Sequence, residues 1–140
     1  MKLITVKASI NAPLSQVWKK WTNVHHVTKW NFASPDWYCP SAKNNFVEGG
    51  EFHYTMAAND GSFCFDFWGT YQKIAIKKSL DITLGDGRKM FVYFEKLGDQ
   101  TIIEEQFEPE NENSEELQQA GWQAILDNFK EYVESSLTPS

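Results

Sequence analysis

The chain has 140 residues, of which 41% are hydrophobic and 23% are charged, and this balance excludes an intrinsically disordered protein. The length suits a single domain, residues 1–140, with one hydrophobic core. No apolar run approaches the roughly 20 residues that a membrane-spanning helix needs. The net charge of -6 argues against a nucleic-acid or a membrane partner, because phosphate groups are bound by clustered Lys and Arg.

The N-terminal segment and the cysteines indicate the compartment. Only four uncharged residues separate Lys2 from Lys7, so this segment lacks the apolar stretch of a secretory signal, and we expect a cytoplasmic protein. Cys39 and Cys64 form no CxxC pair, which argues against a zinc ribbon or a redox motif. In a reducing compartment we expect both to be thiols.

The first part of the chain predicts one strand and two short helices. Leu3 to Ile10 alternates, with an apolar face on every second residue. Pro13 suits the first turn of a helix, Thr22-Asn23 interrupts that helix, and Val24 to Trp30 predicts a second one. The apolar residues of the first helix share one face. They are Leu14, Val17, Trp18 and Trp21.

A long loop is predicted from Asn31 to Gly50, because this segment has no periodicity and contains prolines and glycines. Long loops in compact domains are usually functional. The aromatic residues of this one predict either a loop packed onto the sheet by its own rings or a lid over a pocket. As a lid, it would use Asn31 or Asp36 for a polar contact, and its aromatic surface is also compatible with a homodimer.

The middle of the chain predicts an antiparallel meander of five strands separated by turn residues. Its strands are Glu51 to Ala58, Ser62 to Gln72, Leu80 to Leu84, Arg88 to Glu95 and Thr101 to Phe107. Gly69 shares a face with the phenylalanines of the second of these strands, and we expect it to leave space there.

The C-terminal part predicts one long helix. Asn113 and Glu116 have the spacing of a capping box, an apolar stripe runs from Leu117 to Leu137, and Thr138-Pro139 ends it. Strands and helices are therefore segregated, as in an α+β fold with a curved antiparallel sheet around a terminal helix. Gly69 and Gly121 are expected to leave a gap between the two layers.

Several spaced motifs carry a family resemblance. Residues 12–22 read A-P-x-x-x-V-W-x-x-W-T, and Trp30 follows them. Residues 49–56 read G-G-x-F-x-Y-x-M, residues 69–71 read G-x-Y, and residues 121–132 read G-W-x-x-x-L-x-x-F-x-x-Y. This ordered set resembles the START/Bet v 1-like (SRPBCC) superfamily, and within it the bacterial branch related to the C-terminal domain of the activator of Hsp90 ATPase.

The resemblance implies a helix-grip fold, in which the sheet and the C-terminal helix enclose a hydrophobic cavity and two short helices follow the first strand. The superfamily uses this cavity for lipids, sterols, polyketides and plant aromatic compounds. It implies no single reaction, so function has to be argued from the residues. An Hsp90-type chaperone-interaction module is an alternative that the resemblance permits.

Aromatic residues make up 15% of the chain, more than a core of this length requires, so we expect some rings to line a cavity. Each aromatic residue is either an ordinary core residue or part of the wall that contacts a ligand, and the sequence leaves both interpretations open. The predicted partner is a small hydrophobic molecule, aromatic or polyketide- or lipid-like. The candidate ligand-binding residues are Trp30, Phe32, Trp37, Phe52, Tyr54, Met56, Phe65, Phe67, Phe107, Trp122, Ile125 and Phe129.

Catalysis has weak support, because no nucleophile elbow, phosphate-binding loop or dinucleotide motif is present. Glu105 is the one weak candidate. If Ile103 and Phe107 face the cavity, Glu105 does too, and its carboxylate is then paired or has a raised pKa. The alternative is that a bulge or a solvated strand end exposes it. A cyclase or hydrolase that uses Glu105 or a tyrosine remains an alternative function.

The histidines do not predict a metal site or a cofactor. His25 and His26 are adjacent on a short helix and point about 100° apart, so they cannot face one ion together. His53 lies between inward-facing residues and is expected to point outward, and no ligand spacing links the histidines to Cys39 or Cys64.

Overall fold

The computed structural model describes residues 3–135, which form a seven-stranded sheet and three helices. The strands are β1 (Ile4–Ile10), β2 (Trp37–Asn44), β3 (Glu51–Ala58), β4 (Cys64–Ala75), β5 (Ser79–Leu84), β6 (Lys89–Leu97) and β7 (Gln100–Phe107). The helices are α1 (Leu14–Thr22), α2 (Val24–Trp30) and α3 (Glu115–Ser135). The predicted α+β class is confirmed, with both short helices directly after the first strand.

The sheet is antiparallel throughout and has the strand order β1-β7-β6-β5-β4-β3-β2. It curls into a half-barrel with α3 as the long C-terminal helix, which is the helix-grip arrangement. The core lies between these two layers, and its fully buried side chains include Ile10 of β1, Phe107 of β7 and Phe129 of α3. No helix within residues 3–135 combines the length and the apolar character that crossing a bilayer requires.

The edge strand β1 is covered by α3 through two glutamine side chains. The amide of Gln123 donates to the Lys7 carbonyl at 3.0 Å and accepts from the Lys7 N–H at 3.2 Å, and Gln119 donates to the Thr5 carbonyl at 3.1 Å. An edge strand has backbone groups without a strand partner. These side chains satisfy three such groups and fix the position of α3 against the sheet.

The predicted loop from Asn31 to Gly50 is wrong in its middle, because residues 37–44 form β2. Pro40 lacks an N–H, and the pairing with β3 shifts register between Tyr38 and Ser41. Together they remove the alternation that identifies a strand. Proline is tolerated here because β2 is the other edge of the sheet.

The start of α3 differs from the prediction by one residue. Ser114 caps the helix, since its hydroxyl oxygen accepts from the Leu117 N–H at 3.1 Å. Leu117 is 60% exposed, whereas Gln118 is buried and donates through its amide to the carbonyls of Glu110 and Asn113. The predicted end of the stripe, at Leu137 and Thr138-Pro139, lies outside the described residues.

The space predicted above Gly69 is filled by its neighbours. A Cβ atom at this position would lie 2.8 Å from the Thr83 carbonyl oxygen and 3.0 Å from Cε2 of Phe52. A Cβ atom on Gly121 would meet nothing within 4 Å. Glycine at position 69 therefore allows the Phe52 ring to approach the backbone, and the space expected above Gly69 is not there.

Candidate functional site

A cavity of about 150 Å³ lies between the sheet and α3, and its wall is almost entirely apolar. All three helices and the strands from β3 to β7 contribute to it. The lining residues are Trp21, Trp30, Asn31, Phe52, Tyr54, Met56, Phe65, Phe67, Tyr71, Leu80, Ile82, Met90, Val92, Glu105, Trp122 and Ile125. An apolar cavity of ~150 Å³ stays free of water and accepts a guest the size of benzene.

Most of the predicted ligand-binding residues border this cavity. Those that do are Trp30, Phe52, Tyr54, Met56, Phe65, Phe67, Trp122 and Ile125. Four others do not: Phe32, Trp37, Phe107 and Phe129. The wall also contains residues that were not predicted to bind the ligand, namely Trp21, Tyr71, Leu80, Ile82, Met90 and Val92. The alternation of β5 and β6 could have identified the aliphatic ones, because inward-facing positions of neighbouring strands line the same space.

Two of the four predicted residues that do not border the cavity lie one layer behind its wall. Phe107 stacks on Trp122 with ring centroids 3.8 Å apart, and it is fully buried. Phe129 packs edge-on against Trp21 at 5.0 Å and against Trp30 at 4.7 Å. Both rings therefore hold the aromatic wall in place without bordering the cavity.

The other two lie on the segment that was predicted to be a loop. Trp37 is the first residue of β2, and its ring packs edge-on against Phe63 and Phe65 at 6.0 Å each. Phe32 is half-buried and accepts a hydrogen bond from Asn128. Of the two predicted polar contacts, Asn31 lines the cavity and Asp36 is exposed. These contacts favour the alternative to a lid, a segment that is held against the sheet by its own aromatic rings.

The tryptophans of α1 and α2 form a rigid end to the cavity. Trp21 and Trp30 stack with ring centroids 4.9 Å apart, and the Trp30 indole N–H donates to the Lys20 carbonyl at 3.0 Å. This bond ties α2 to α1 and satisfies the one polar atom of a buried indole. The cavity therefore has a preformed aromatic surface at this end.

Glu105 is the acidic residue of the cavity wall. It pairs with Val6 of β1 and Val92 of β6 in an unbroken register, so the alternation of β7 carries it inward with Ile103 and Phe107. Only 6% of its surface is exposed. The alternative of a bulge or a solvated strand end is wrong.

The Glu105 carboxyl has no hydrogen-bond donor or cation beside it within residues 3–135. Removal from water disfavours the charged form, and it raises the pKa of Glu105 to about 8. At neutral pH the residue is therefore mainly a neutral carboxylic acid, which both donates and accepts a hydrogen bond.

Asn31 is the second polar group without a partner in the wall. It follows the last turn of α2 and is 5% exposed, and its side-chain nitrogen makes no hydrogen bond of normal geometry. The amide lies close enough to the Cys39 thiol to act on the pKa of that group, which burial raises overall. A neutral thiol is a weak acceptor. The Asn31 amide thus keeps donor capacity that the protein leaves unused.

The tyrosines of the wall lie beside other polar side chains. Tyr54, Tyr71 and the Asn44 amide are close enough to act on one another's pKa, and the Asn44 amide donates to the Thr22 carbonyl at 2.8 Å. Burial raises the pKa of both phenols, and that of Tyr54 well above its usual value. They remain neutral near pH 7 and give the cavity no free charge.

None of the histidines or cysteines of the described residues lines the cavity. His53 points outward, as predicted, and bonds the carboxylates of Asp66 and Glu51. Cys39 is buried and Cys64 exposed, and both are free thiols. Among the described residues no three His, Cys, Asp or Glu side chains are grouped so that they could hold a metal ion.

A curled antiparallel sheet with a terminal helix and an apolar cavity defines a helix-grip domain. Residues 11–134 match the family described as Activator of Hsp90 ATPase homolog 1-like protein, and the chain belongs to that family. The predicted family resemblance is confirmed. Among curated proteins no relative matches the chain.

Solved structures of bacterial proteins share this architecture. An AHSA1-like protein from Aeromonas hydrophila is 38% identical over 96% of this chain and 94% of its own, with a TM-score of 0.91. A protein from Cytophaga hutchinsonii is 48% identical over 94% of this chain and 92% of its own, with a TM-score of 0.82. A Nitrosomonas europaea protein at 17% identity, covering 95% and 94% of the two chains with a TM-score of 0.80, shares the fold alone.

Proposed function

We propose that this protein binds a small apolar ligand with a single ring in the cavity between the sheet and α3. The observation that supports this most is a space of about 150 Å³ walled by aromatic side chains. Core side chains normally pack without voids larger than a water molecule. A void of this size forgoes packing energy, and an apolar guest would restore those contacts.

The volume bounds the size of the ligand. Pockets for drug-sized molecules are usually roughly 300 to 1,000 Å³, so sterols and multi-ring polyketides exceed this cavity as it stands. A benzene-sized ring fits, and edge-to-face contacts with the wall add about 0.5 to 1.5 kcal/mol per ring pair beyond burial. We therefore narrow the predicted aromatic, polyketide-like or lipid-like ligand to its single-ring members.

An enzymatic function is the second candidate, because Glu105 is a lone buried acid in a cavity. A carboxyl group with a pKa of about 8 would suit proton transfer near neutral pH. Acid–base catalysis of the cyclase or hydrolase type normally needs a second group aligned with the first. Turnover that disappears in Glu105→Gln would favour this function. The chaperone-interaction module stays a prediction, which a pull-down with the host's Hsp90-type chaperone tests.

A matched pair of valine substitutions tests ligand binding in the cavity. Val92 and Val6 are both fully buried and flank Glu105 on neighbouring strands, but only Val92 borders the cavity. Val92→Ile adds one methylene group to the space a ligand would fill, whereas Val6→Ile adds it elsewhere in the core. We expect Val92→Ile to weaken the binding of toluene, followed by tryptophan fluorescence and by amide NMR shifts.

Val6→Ile should leave toluene affinity unchanged while lowering the melting temperature, because overpacking a filled core costs about 1 to 3 kcal/mol. Equal effects of the two variants on affinity would place the ligand outside the cavity. An absence of saturable shifts with any single-ring compound would refute the proposed function.

A further inference from the structure

Asn31 and Glu105 are two polar side chains in the otherwise mainly apolar wall of the cavity. Both side chains are more than nine-tenths buried, both border the cavity, and neither has a hydrogen-bond partner of normal geometry among the described residues. A buried polar group without a partner costs about 1 to 3 kcal/mol. Two such groups on the wall of one small cavity point to a polar ligand that completes their hydrogen bonds.

We propose that the cavity selects ring compounds that carry an acceptor oxygen, above all a ring-attached ketone or aldehyde, through hydrogen bonds from Asn31 and Glu105. This inference rests on the proposed function and names the class of ligand for the same cavity. A carbonyl oxygen has two lone pairs and no hydrogen, so it suits a site whose unused groups both donate.

The protonation state of Glu105 determines whether the cavity favours a ligand with a hydrogen-bond acceptor or a cationic ligand. Burial keeps this carboxyl mainly neutral at pH 7, and as a neutral acid it donates a proton to an acceptor. An ammonium ligand would need the carboxylate form and would leave the Asn31 N–H groups without an acceptor. A hydrocarbon would leave both groups without a partner.

The other groups around Glu105 do not titrate near neutral pH. Its strand neighbours are Val6 and Val92, and α3 contributes Trp122 and Ile125 to the same cavity. The remaining titratable groups of the wall are two tyrosines, whose raised pKa values keep them neutral. Glu105 is therefore the group whose ionisation should govern binding between pH 7 and pH 9.

Three probes of nearly the same shape test the proposal. Acetophenone has a carbonyl oxygen, α-methylstyrene has a methylene group in its place, and 1-phenylethylamine has an ammonium group. At pH 7 we expect acetophenone to bind about threefold to tenfold more tightly than α-methylstyrene for each hydrogen bond formed. The amine should bind more weakly than acetophenone.

Two variants separate the contributions of the donors. Asn31→Leu should reduce the preference for acetophenone over α-methylstyrene. Glu105→Gln keeps a neutral donor, so the preference should persist at every pH. In the unchanged protein the affinity for acetophenone should fall about tenfold from pH 7 to pH 9, and Glu105→Gln should abolish that fall.

The outcomes distinguish this inference from the function on which it rests. Equal affinities for acetophenone and α-methylstyrene, or tighter binding of the amine, would overturn the acceptor preference and leave a ligand-binding cavity. A pH dependence that persists in Glu105→Gln would also overturn it. Failure of all three probes to bind would refute the proposed function itself. Thermal melts of each variant without probe verify that the fold is intact.

Discussion

The indole of Trp122 lies flat on the ring of Phe107, with centroids 3.8 Å apart and planes within 12° of each other. Trp122 borders the cavity and Phe107 does not. Phe67 contacts the same indole edge-on at 5.9 Å, so the indole is held between two strands. The shape of the cavity on the α3 side is therefore set by a residue one layer behind the wall.

We predict that Phe107→Ala destabilises the protein and broadens its ligand range. Phe107 is fully buried, and truncation of a buried phenylalanine usually costs about 3 to 5 kcal/mol. Loss of the stacking partner should let Trp122 tilt, so that compounds larger than one ring bind. Urea unfolding measures the first effect, and a ligand series of increasing size measures the second.

Phe91→Ala is the matched control, since Phe91 lies on the outer face of β6, half-buried and stacked on Tyr93 at 6.5 Å. It should cost less stability and leave ligand size unchanged. Identical ligand ranges for the two variants would contradict the role assigned to Phe107.

Glu105→Gln is predicted to stabilise the unliganded protein in a manner that depends on pH. The pKa of Glu105 is raised in the folded protein from 4.5 to about 8. Between these values the unfolded chain has lost the proton and the folded protein retains it, so stability falls as pH rises. Below pH 4.5 both states are protonated, and above about pH 8 both are ionised, so the penalty no longer changes.

The stabilisation by Glu105→Gln should therefore be small at pH 4, grow through pH 6 and level off above pH 8, at a value on the order of 5 kcal/mol. Urea unfolding at five pH values measures it. A difference between the two proteins that is the same at every pH would show that Glu105 keeps an ordinary pKa.

The sequence indicated a cavity position for Glu105, with exposure as the alternative, and it missed β2. One physical cause explains both results. Alternation identifies the inward face of a strand only while the register is unbroken. β7 pairs without a shift on both sides, so the position of Glu105 follows from that of Ile103. In β2 the register shift and Pro40 remove the signal.

The face of the sheet on which a residue lies is easier to predict than whether a helix covers that residue. Phe63, Phe65 and Phe67 have the same parity and were expected on the same side of the sheet. Trp122 of α3 contacts Phe67, whereas Phe63 is 58% exposed and Phe65 is 40% exposed. Which residues of a face a helix covers depends on the packing of the whole domain. For the same reason the unpartnered amide of Asn31 had no signal in the sequence beyond its residue type.

Phe65→Ala is predicted to accelerate ligand exchange. Phe65 borders the cavity and is also 40% exposed, so its ring separates the cavity from solvent. Removing the ring should raise both the association and the dissociation rate of toluene, with a small change in affinity. NMR exchange spectroscopy on the bound ligand measures these rates.

Phe63→Ala serves as the control for Phe65→Ala. Both rings contact Trp37 at 6.0 Å, but Phe63 does not border the cavity. Its truncation should leave exchange unchanged. If the two variants accelerated exchange equally, the ligand would pass beside Trp37 rather than through the position of Phe65.

The pKa values of the two partly buried histidines, His26 and His53, are predicted to be shifted in opposite directions. Hydrogen bonds from His53 to Asp66 and Glu51, at 2.7 and 3.0 Å, raise the pKa of His53. Burial, with Lys20 and other nearby cations, lowers the pKa of His26, which lies 2.6 Å from the Tyr132 hydroxyl. NMR titration of one sample should therefore show His53 losing its proton at higher pH than His26.

Asp66→Asn should lower the pKa of His53 more than Glu51→Gln does, because Asp66 makes the larger contribution. The stabilisation from this cluster is complete below the unfolded pKa near 6.5 and is lost as pH rises through the higher folded value. It should be small, since the three side chains are about half exposed and screened by water. Titration of His53 at or below the pKa of His26 would contradict the arrangement of these groups.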